Sequence, residues 1–254
     1  MIVRSQSFTN LKVFMVTTSS SSKKTQGAEK LTASVDAKDE KQYGSRSEFV
    51  YQMLRQYIQS GELKPGDRVM EGEIAEKLQV SRTPVRDALR RLESDGMVVI
   101  EPRVGLQVAS LSRASILELY LMRELLEGTA AKLCALHATD LELMELEDLV
   151  RREKALQGDH EALSKHNRRF HEAIYHGAHN KFLQKSLSAV NDSMWLLGRS
   201  LMFNPKRAAR AQIEHKELLQ AILNRDSEAA ETVARRHIEA AKKERLIALF
   251  NKDE

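Results

Sequence analysis

The distribution of proline is the feature that most restricts how this chain folds. Three of its four prolines (Pro65, Pro84 and Pro102) precede residue 103, and only Pro205 falls in the long segment after Leu106. Proline in a helix interior removes a hydrogen bond and clashes with the preceding turn. The pattern therefore predicts a small N-terminal domain with several turns, followed by a long all-helical domain.

Length and composition allow two such domains. The chain has 254 residues, of which 42% are hydrophobic and 30% charged, as is typical of soluble globular proteins with their own cores. The longest strictly apolar run, at 246–250, is far shorter than the roughly 20 residues that span a bilayer. We therefore do not expect this chain to be a membrane protein. Cys134 is the single cysteine, which favours a reducing, cytoplasmic compartment.

Residues 1–44 are predicted to form a disordered tail. No Asp or Glu occurs from Met1 to Ala28, and four serines follow one another at 19–22. Such a segment has too few apolar residues and too little periodicity for a packed element. An organelle transit peptide or a wrongly assigned start codon would have a similar composition, so both remain open.

Residues 45–109 have the pattern of a winged helix-turn-helix domain. Apolar residues at helical spacing predict three short helices, and two short β-prone runs separated by a Pro-Arg-Val-Gly turn predict a hairpin. The predicted elements are a helix ending at Gly61, a helix over 71–78, a helix starting at Ser81 or Thr83, and a hairpin of 97–100 with 106–108.

Residues 110–254 predict an antiparallel bundle of six helices, which makes the whole chain mostly α. Thr139 and Glu142 form a capping-box pattern, and Asn204-Pro205 supplies an N-cap followed by proline at the first helical position. Short connections between long helices favour antiparallel neighbours. The predicted helices cover about 112–138, 140–157, 160–178, 181–203, 205–225 and 227–250.

Arg82, Arg86 and Arg90 recur every four residues, which places them on one face of the third predicted helix. An arginine face on such a helix suits the major groove of DNA, where arginine pairs with guanine. An ordinary solvated helix face has the same spacing. Residues 47–108 contain 9 Lys and Arg against 10 Asp and Glu, so DNA binding here depends on local placement of charge.

The segment VSRTPVRDALRRLE at 80–93, followed by Asp95-Gly96, resembles the helix-turn-helix of the GntR family of bacterial transcription regulators. The resemblance covers about 47–108. It implies a sequence-specific DNA-binding regulator, associated with the bacterial nucleoid, rather than an enzyme. By position, the implied DNA contacts are Arg82, Thr83 and Arg86, with Arg103 and Gly105 in the wing turn.

Three of the eight histidines fall on predicted core faces of separate helices. The three stripes are Leu163, Phe170, His171 and Ile174; His215, Leu218, Leu219 and Ile222; and Val233, Ala234, His237 and Ala241. One inward histidine is usually a hydrogen-bonded core residue, whereas three, with Asn167 a turn before His171, predict a shared site. Converging imidazoles suit zinc, nickel or another borderline divalent ion.

The same residues resemble the FCD domain of the FadR-like branch of GntR regulators, over about 112–250. The resemblance implies that Asn167, His171, His215 and His237 bind a divalent metal, and that the metal helps to hold a small organic carboxylate. A neutral amide at Asn167 is a weaker ligand than a carboxylate at that position would be.

Four residues are candidates for binding this effector. Arg123 with Leu126-Glu127 resembles the family's Arg-x-x-Leu-Glu element, which implies a guanidinium fork for a carboxylate. An ion pair between Arg123 and Glu127 at i+4 is the alternative. The further candidates are Tyr120, Trp195 and Arg199.

These observations predict a homodimeric repressor of a palindromic operator, whose DNA affinity changes when the carboxylate binds, with a hinge near 109–112. An activator and a purely structural metal remain open. A metal-dependent helical-bundle enzyme is a remote alternative, because the chain has no His-Glu-x-x-His, nucleophile elbow, Walker loop or Rossmann glycine set.

Overall fold

The computed structural model describes residues 43–198 and 200–250. Of the predicted tail, only Tyr43 and Gly44 are among the described residues. The effector candidate Arg199 also lies outside them. Within them the protein is mostly helical with one two-stranded sheet, so the predicted fold class is confirmed. No helix of this part of the chain has the length and apolarity needed to cross a membrane.

The N-terminal elements form a winged helix-turn-helix. They are α1 (Arg46–Ser60), α2 (Glu71–Lys77), α3 (Arg82–Ser94), β1 (Val98–Glu101) and β2 (Gly105–Val108). The predicted end of α1 is confirmed, because Gly61 has the left-handed φ of 78° that glycine adopts freely. Ser81 occupies the N-cap position of α3, but its side chain makes no capping hydrogen bond.

The wing is held on both sides of β2. β1 pairs with it in antiparallel register, with Val98 opposite Val108. On the other side the Val69 N–H donates to the Leu106 carbonyl at 2.8 Å. The turn that joins the strands has positive φ at Arg103 and Gly105, 69° and 95°, and projects from the end of the sheet.

The C-terminal elements form the predicted helical bundle. They are α4 (Arg113–His137), α5 (Asp140–Glu153), α6 (His160–Gly177), α7 (Lys181–Met194), α8 (Pro205–Leu223) and α9 (Ser227–Phe250). α4 is the central helix and packs against α6, α7, α8 and α9. Phe170, Ile174, Leu218 and Ile222 are among the buried residues of the bundle core.

Two helices are shorter than predicted. α5 ends at Glu153 rather than 157 and continues as a 3-10 turn over Lys154–Leu156. α7 ends at Met194 rather than 203, and 3-10 turns follow at Trp195–Leu197 and Leu201–Phe203. Gly198, at φ 76° and ψ −148°, explains the break in the second case, because residues with a side chain rarely adopt this conformation.

This break brings the bundle into contact with the DNA-binding domain. Leu196 is buried in the same apolar cluster as Leu54 of α1, and Trp195 packs against that cluster. Beside them Arg55 of α1 forms an ion pair with Asp192 of α7. The segment after α7 is therefore the part of the bundle that packs into the core of the other domain.

Replacing Thr139 with alanine tests the predicted capping box, which the structure confirms. The Thr139 N–H donates to the Glu142 carboxylate at 2.8 Å, and the Thr139 hydroxyl accepts from the Glu142 N–H. We expect Thr139→Ala to lower the free energy of unfolding by about 1 kcal/mol, measured by urea denaturation. Thr232→Ala is the matched control, since that exposed hydroxyl donates only to a carbonyl of its own helix. Equal losses in the two variants would contradict the capping role.

Candidate metal centre and nucleic-acid interface

The structure brings together the three histidines that the sequence singled out. His171 lies on α6, His215 on α8 and His237 on α9, and each is at most 5% exposed. One ring nitrogen from each lies within 4.8 Å of the others. Ring centroids are 5.0 Å apart for His215 and His237 and 5.6 Å apart for His171 and His215. The cluster is therefore a three-nitrogen site inside the bundle.

A buried carboxylate faces the Nδ1 atom of each histidine. The three pairs are Glu127 with His171 at 2.6 Å, Glu153 with His215 at 3.0 Å and Glu214 with His237 at 2.7 Å. A carboxylate at Nδ1 holds the proton there and leaves the lone pair on Nε2. This pairing is the usual outer support of metal-binding histidines.

The protonation state of two of the histidines, His215 and His237, suits metal binding. Burial lowers the pKa of His215, and it lowers the pKa of His237 well below its ordinary value, with the neighbouring histidines acting in the same direction for His237. Both rings are therefore neutral near pH 7, as ligands must be.

The buried polar atoms that lack a hydrogen-bond partner among the described residues include Nε2 of His171, Nε2 of His215 and Oδ1 of Asn167. Asn167 precedes His171 by one turn of α6, so the two side chains share a face. A buried acceptor without a partner lowers the free energy of unfolding, and a divalent cation bound between the histidines would supply that partner. The imidazole donors fit a borderline divalent ion.

The carboxylates of Glu153 and Glu214 and the cation of Arg207 were not predicted. Arg207 is 2% exposed and donates to Glu214 at 2.9 Å, so it neutralises the carboxylate that supports His237. Glu153 extends the buried stripe of Leu146 and Val150 on α5. An acidic residue within an apolar stripe is the sequence feature that could have indicated the role of Glu153.

Of the two roles considered for Arg123, the structure shows the ion pair. Its Nε lies 2.6 Å from the Glu127 carboxylate, which in turn contacts His171. Burial raises the pKa of Glu127, but the charge of Arg123 and the contact with His171 outweigh it, so the pKa lies well below its usual range. One turn earlier, the Tyr120 hydroxyl is buried with no hydrogen-bond partner in the described chain.

The effector candidate Trp195 does not line the space next to the histidines. A narrow cavity next to the histidines, lined by Glu127, His171, Tyr175 and His237 among others, admits no sphere the size of a water molecule. Trp195 instead lines a larger cavity of ≈ 440 Å³ between α1, α6 and α7, where Arg168 stacks on its ring at 4.1 Å.

The side chains expected to contact DNA are exposed to solvent. Arg82, Thr83, Arg86 and Arg90 are exposed on α3, opposite its buried residues, and Arg103 is exposed at the tip of the wing beside Gly105. Within the described residues, Arg86 is the one of these whose guanidinium is held by a neighbour, through two hydrogen bonds to Glu71. These bonds lower the pKa of the Glu71 carboxyl, and the charges of Arg82 and Arg90 act in the same direction.

Comparison with known proteins agrees with this arrangement. Residues 46–108 match the model of the bacterial regulatory proteins of the gntR family, and residues 118–240 match that of the FCD domain. The HTH-type transcriptional regulator YdhC of Bacillus subtilis (strain 168) is 32% identical over 206 residues, covering 80% of this chain and 87% of the relative. This chain belongs to the GntR family of transcription regulators.

Further proteins are similar along most of their length. The Uxu operon transcriptional regulator of Escherichia coli (strain K12) is 31% identical over 230 residues, covering 80% of this chain and 87% of the relative. The solved structure of E. coli McbR/YncC superimposes with a TM-score of 0.70 at 26% identity, covering 80% of this chain and 98% of the other. A GntR regulator from Rhodococcus sp. RHA1, with a TM-score of 0.67 and 24% identity, shares the fold.

Family membership decides the class of function. The chain is a DNA-binding transcription regulator with a C-terminal effector-binding domain, and it is not an enzyme. Metal binding is known for FCD domains, and the three-histidine cluster of this chain is consistent with it. The remote alternative of a helical-bundle enzyme is therefore set aside.

Replacing His215 with alanine tests the metal centre. We expect His215→Ala, dialysed against Zn²⁺ or Ni²⁺, to retain far less metal per chain than wild type by elemental mass spectrometry, and to lose the stability that the metal adds. His166→Ala is the matched control, because His166 is buried on α6 but bonds the Leu149 carbonyl outside the cluster. Wild-type metal content in His215→Ala would show that the ligand assignment is wrong.

Proposed function

We propose that this GntR regulator is a repressor that binds a palindromic operator as a homodimer and leaves it when a small organic carboxylate binds beside a divalent metal. The proposed metal ligands are Asn167, His171, His215 and His237, with zinc or nickel as the ion. The observation that carries the proposal is the set of three buried histidines, each supported by its own carboxylate, around unsatisfied acceptors.

Residues of α4 would recognise the effector. When bound, the metal would supply an open coordination position for a carboxylate oxygen. Arg123 uses its Nε for Glu127, so its Nη groups are the donors for a second oxygen. The Tyr120 hydroxyl, 0% exposed for the residue as a whole, needs a hydrogen-bond partner, which the effector would provide.

The narrow cavity supports a coupling between effector and DNA affinity. The space next to the histidines has no room for a water-sized molecule, so an organic acid enters only if α4, α6, α8 and α9 move apart. The effector then binds the opened arrangement better than the closed one. It changes DNA affinity by no more than that difference, typically about 1–3 kcal/mol or 5–150-fold.

The contacts of α6 and α7 provide a path between the two sites. Tyr175 of α6 lines both the histidine cavity and the larger cavity beside α1. Asp192 of α7 pairs with Arg55 of α1, and Leu196 is buried in the core of the DNA-binding domain. A shift of α6 or α7 would therefore reach α1 directly.

An exposed apolar stripe on α4 supports the homodimer. Leu117, Leu121, Met122 and Leu125 lie on one face of the helix and are 40–55% exposed. Contiguous apolar surface of this kind marks an interaction site, and a two-fold axis along it would make the contact self-complementary. Two recognition helices would then meet half-sites spaced by about one turn of DNA, or a multiple of it.

A thermal-shift measurement tests the effector proposal. Lactate, gluconate, succinate and citrate are added to protein loaded with Zn²⁺ and to protein stripped with EDTA. We expect one class of acid to raise the melting temperature only with metal, since ligand at 100 times its Kd adds about 2.7 kcal/mol. Tyr120→Phe should weaken that shift without lowering metal content.

The direction of regulation follows from transcription in vitro on a template with the selected operator. A repressor lowers the transcript until the acid is added, whereas an activator raises it. A metal that is retained while no acid shifts the melting temperature would make the metal structural and would contradict the effector proposal.

Replacing Arg86 with alanine tests DNA recognition. The operator is first selected by wild-type protein from a random duplex library. We expect Arg86→Ala to weaken binding to it by about 1–3 kcal/mol while binding to a scrambled duplex changes much less. Arg91→Ala is the control with equal charge, since Arg91 stacks on Tyr51 at 3.7 Å and pairs with Glu48. Equal losses on both duplexes would assign Arg86 to phosphate contact.

A further inference from the structure

Glu71 is an acidic side chain on the surface that meets DNA. It is the first residue of α2, and its two carboxylate oxygens accept hydrogen bonds from Arg86 of α3. Nε of Arg86 donates to Oε1 at 3.1 Å, and Nη2 donates to Oε2 at 2.9 Å. The carboxylate therefore occupies one complete edge of the guanidinium.

Neither a gain in folding stability nor a gain in general affinity for DNA accounts for the pair of Glu71 and Arg86. The side chains are 54% and 37% exposed, and ion pairs at such sites add little stability. A negative charge next to Arg82, Arg86 and Arg90 also weakens the attraction to phosphate on which DNA affinity depends. The remaining effect of Glu71 is to fix the orientation of Arg86.

Three donors are left on Arg86, and two of them form a parallel fork. A guanidinium has five N–H groups, and Glu71 takes the one on Nε and one on Nη2. The parallel N–H groups of Nη1 and Nη2 at the tip remain available. Two parallel donors match O6 and N7 of guanine in the major groove, whereas adenine presents a donor in place of O6.

We infer that Glu71 is a specificity-determining residue, which orients Arg86 so that the tip of its guanidinium selects guanine at one position in each half-site. The inference rests on the proposed base contact of Arg86. Without Glu71 the side chain presents either edge and turns to nearby phosphates, so it distinguishes bases less well. Holding the side chain before binding also reduces the entropy lost in the complex.

Selection from a random duplex library tests this inference. Wild type, Glu71→Gln, Glu73→Gln, Arg86→Ala and the double variant Glu71→Gln/Arg86→Ala each select duplexes, and affinities are then measured for the wild-type sequence and its scrambled counterpart. Glu73→Gln is the matched control, because Glu73 is an exposed acidic residue in the same first turn of α2. The Nε–H resonance of Arg86 in DNA-free protein reports the contact itself.

The expected result distinguishes the effect of orienting Arg86 from the effect of removing one negative charge. Both single glutamine variants lose one negative charge, so both should bind scrambled DNA somewhat more tightly. Only Glu71→Gln should lower the ratio of operator to scrambled affinity, by about threefold or more, and relax the preference for guanine at one position. In the Arg86→Ala background, Glu71→Gln should lower the ratio no further.

Two outcomes distinguish failure of the inference from failure of the proposed base contact. If Arg86→Ala leaves the ratio unchanged, the base contact is wrong and the inference falls with it. If Arg86→Ala lowers the ratio but Glu71→Gln does not, or if the effect of Glu71→Gln persists in the double variant, the contact stands and the orienting role is overturned.

Discussion

The ionic network at the centre of the bundle is the constraint on which the rest of the C-terminal domain depends. Glu127, Glu153 and Glu214 are each at most 7% exposed, and unpaired carboxylates cost several kcal/mol at such positions. Arg123 and Arg207 neutralise Glu127 and Glu214 from the same helix. The histidine that each carboxylate contacts lies on another helix, so the hydrogen bonds are complete only when α4, α5, α6, α8 and α9 take one mutual arrangement. An apolar core tolerates sliding of its helices far better than this core does.

Sequence patterns predicted the elements and the metal-ligand candidates because both depend on local spacing. His171, His215 and His237 each interrupt an apolar stripe, which marks an inward side chain whatever the neighbouring helix contributes. The carboxylates opposite them could not be paired in advance, since each contact joins residues distant along the chain. The break after α7 was missed although Gly198 marks it, because the apolar pattern continues through Trp195 to Leu197.

The two domains place their charged side chains in opposite environments, buried in the bundle and exposed in the DNA-binding domain. The bundle buries charge and must neutralise each group with a partner. The DNA-binding domain has nearly balanced charge and must keep its cations exposed, so it depends on where each arginine points. Glu71 and Glu127 illustrate the difference, because both carboxylates accept from an arginine, one on the surface and one 3% exposed.

The burial of the histidine cluster has a kinetic consequence. An ion held by side chains at most 5% exposed, next to a cavity too narrow for water, would exchange with solvent only when the bundle opens. Its residence time is then set by the opening frequency of the helices rather than by the free ion concentration at that moment. The proposed organic ligand has to pass through the same opening, so one motion of the helices would set how fast both the ion and the effector exchange.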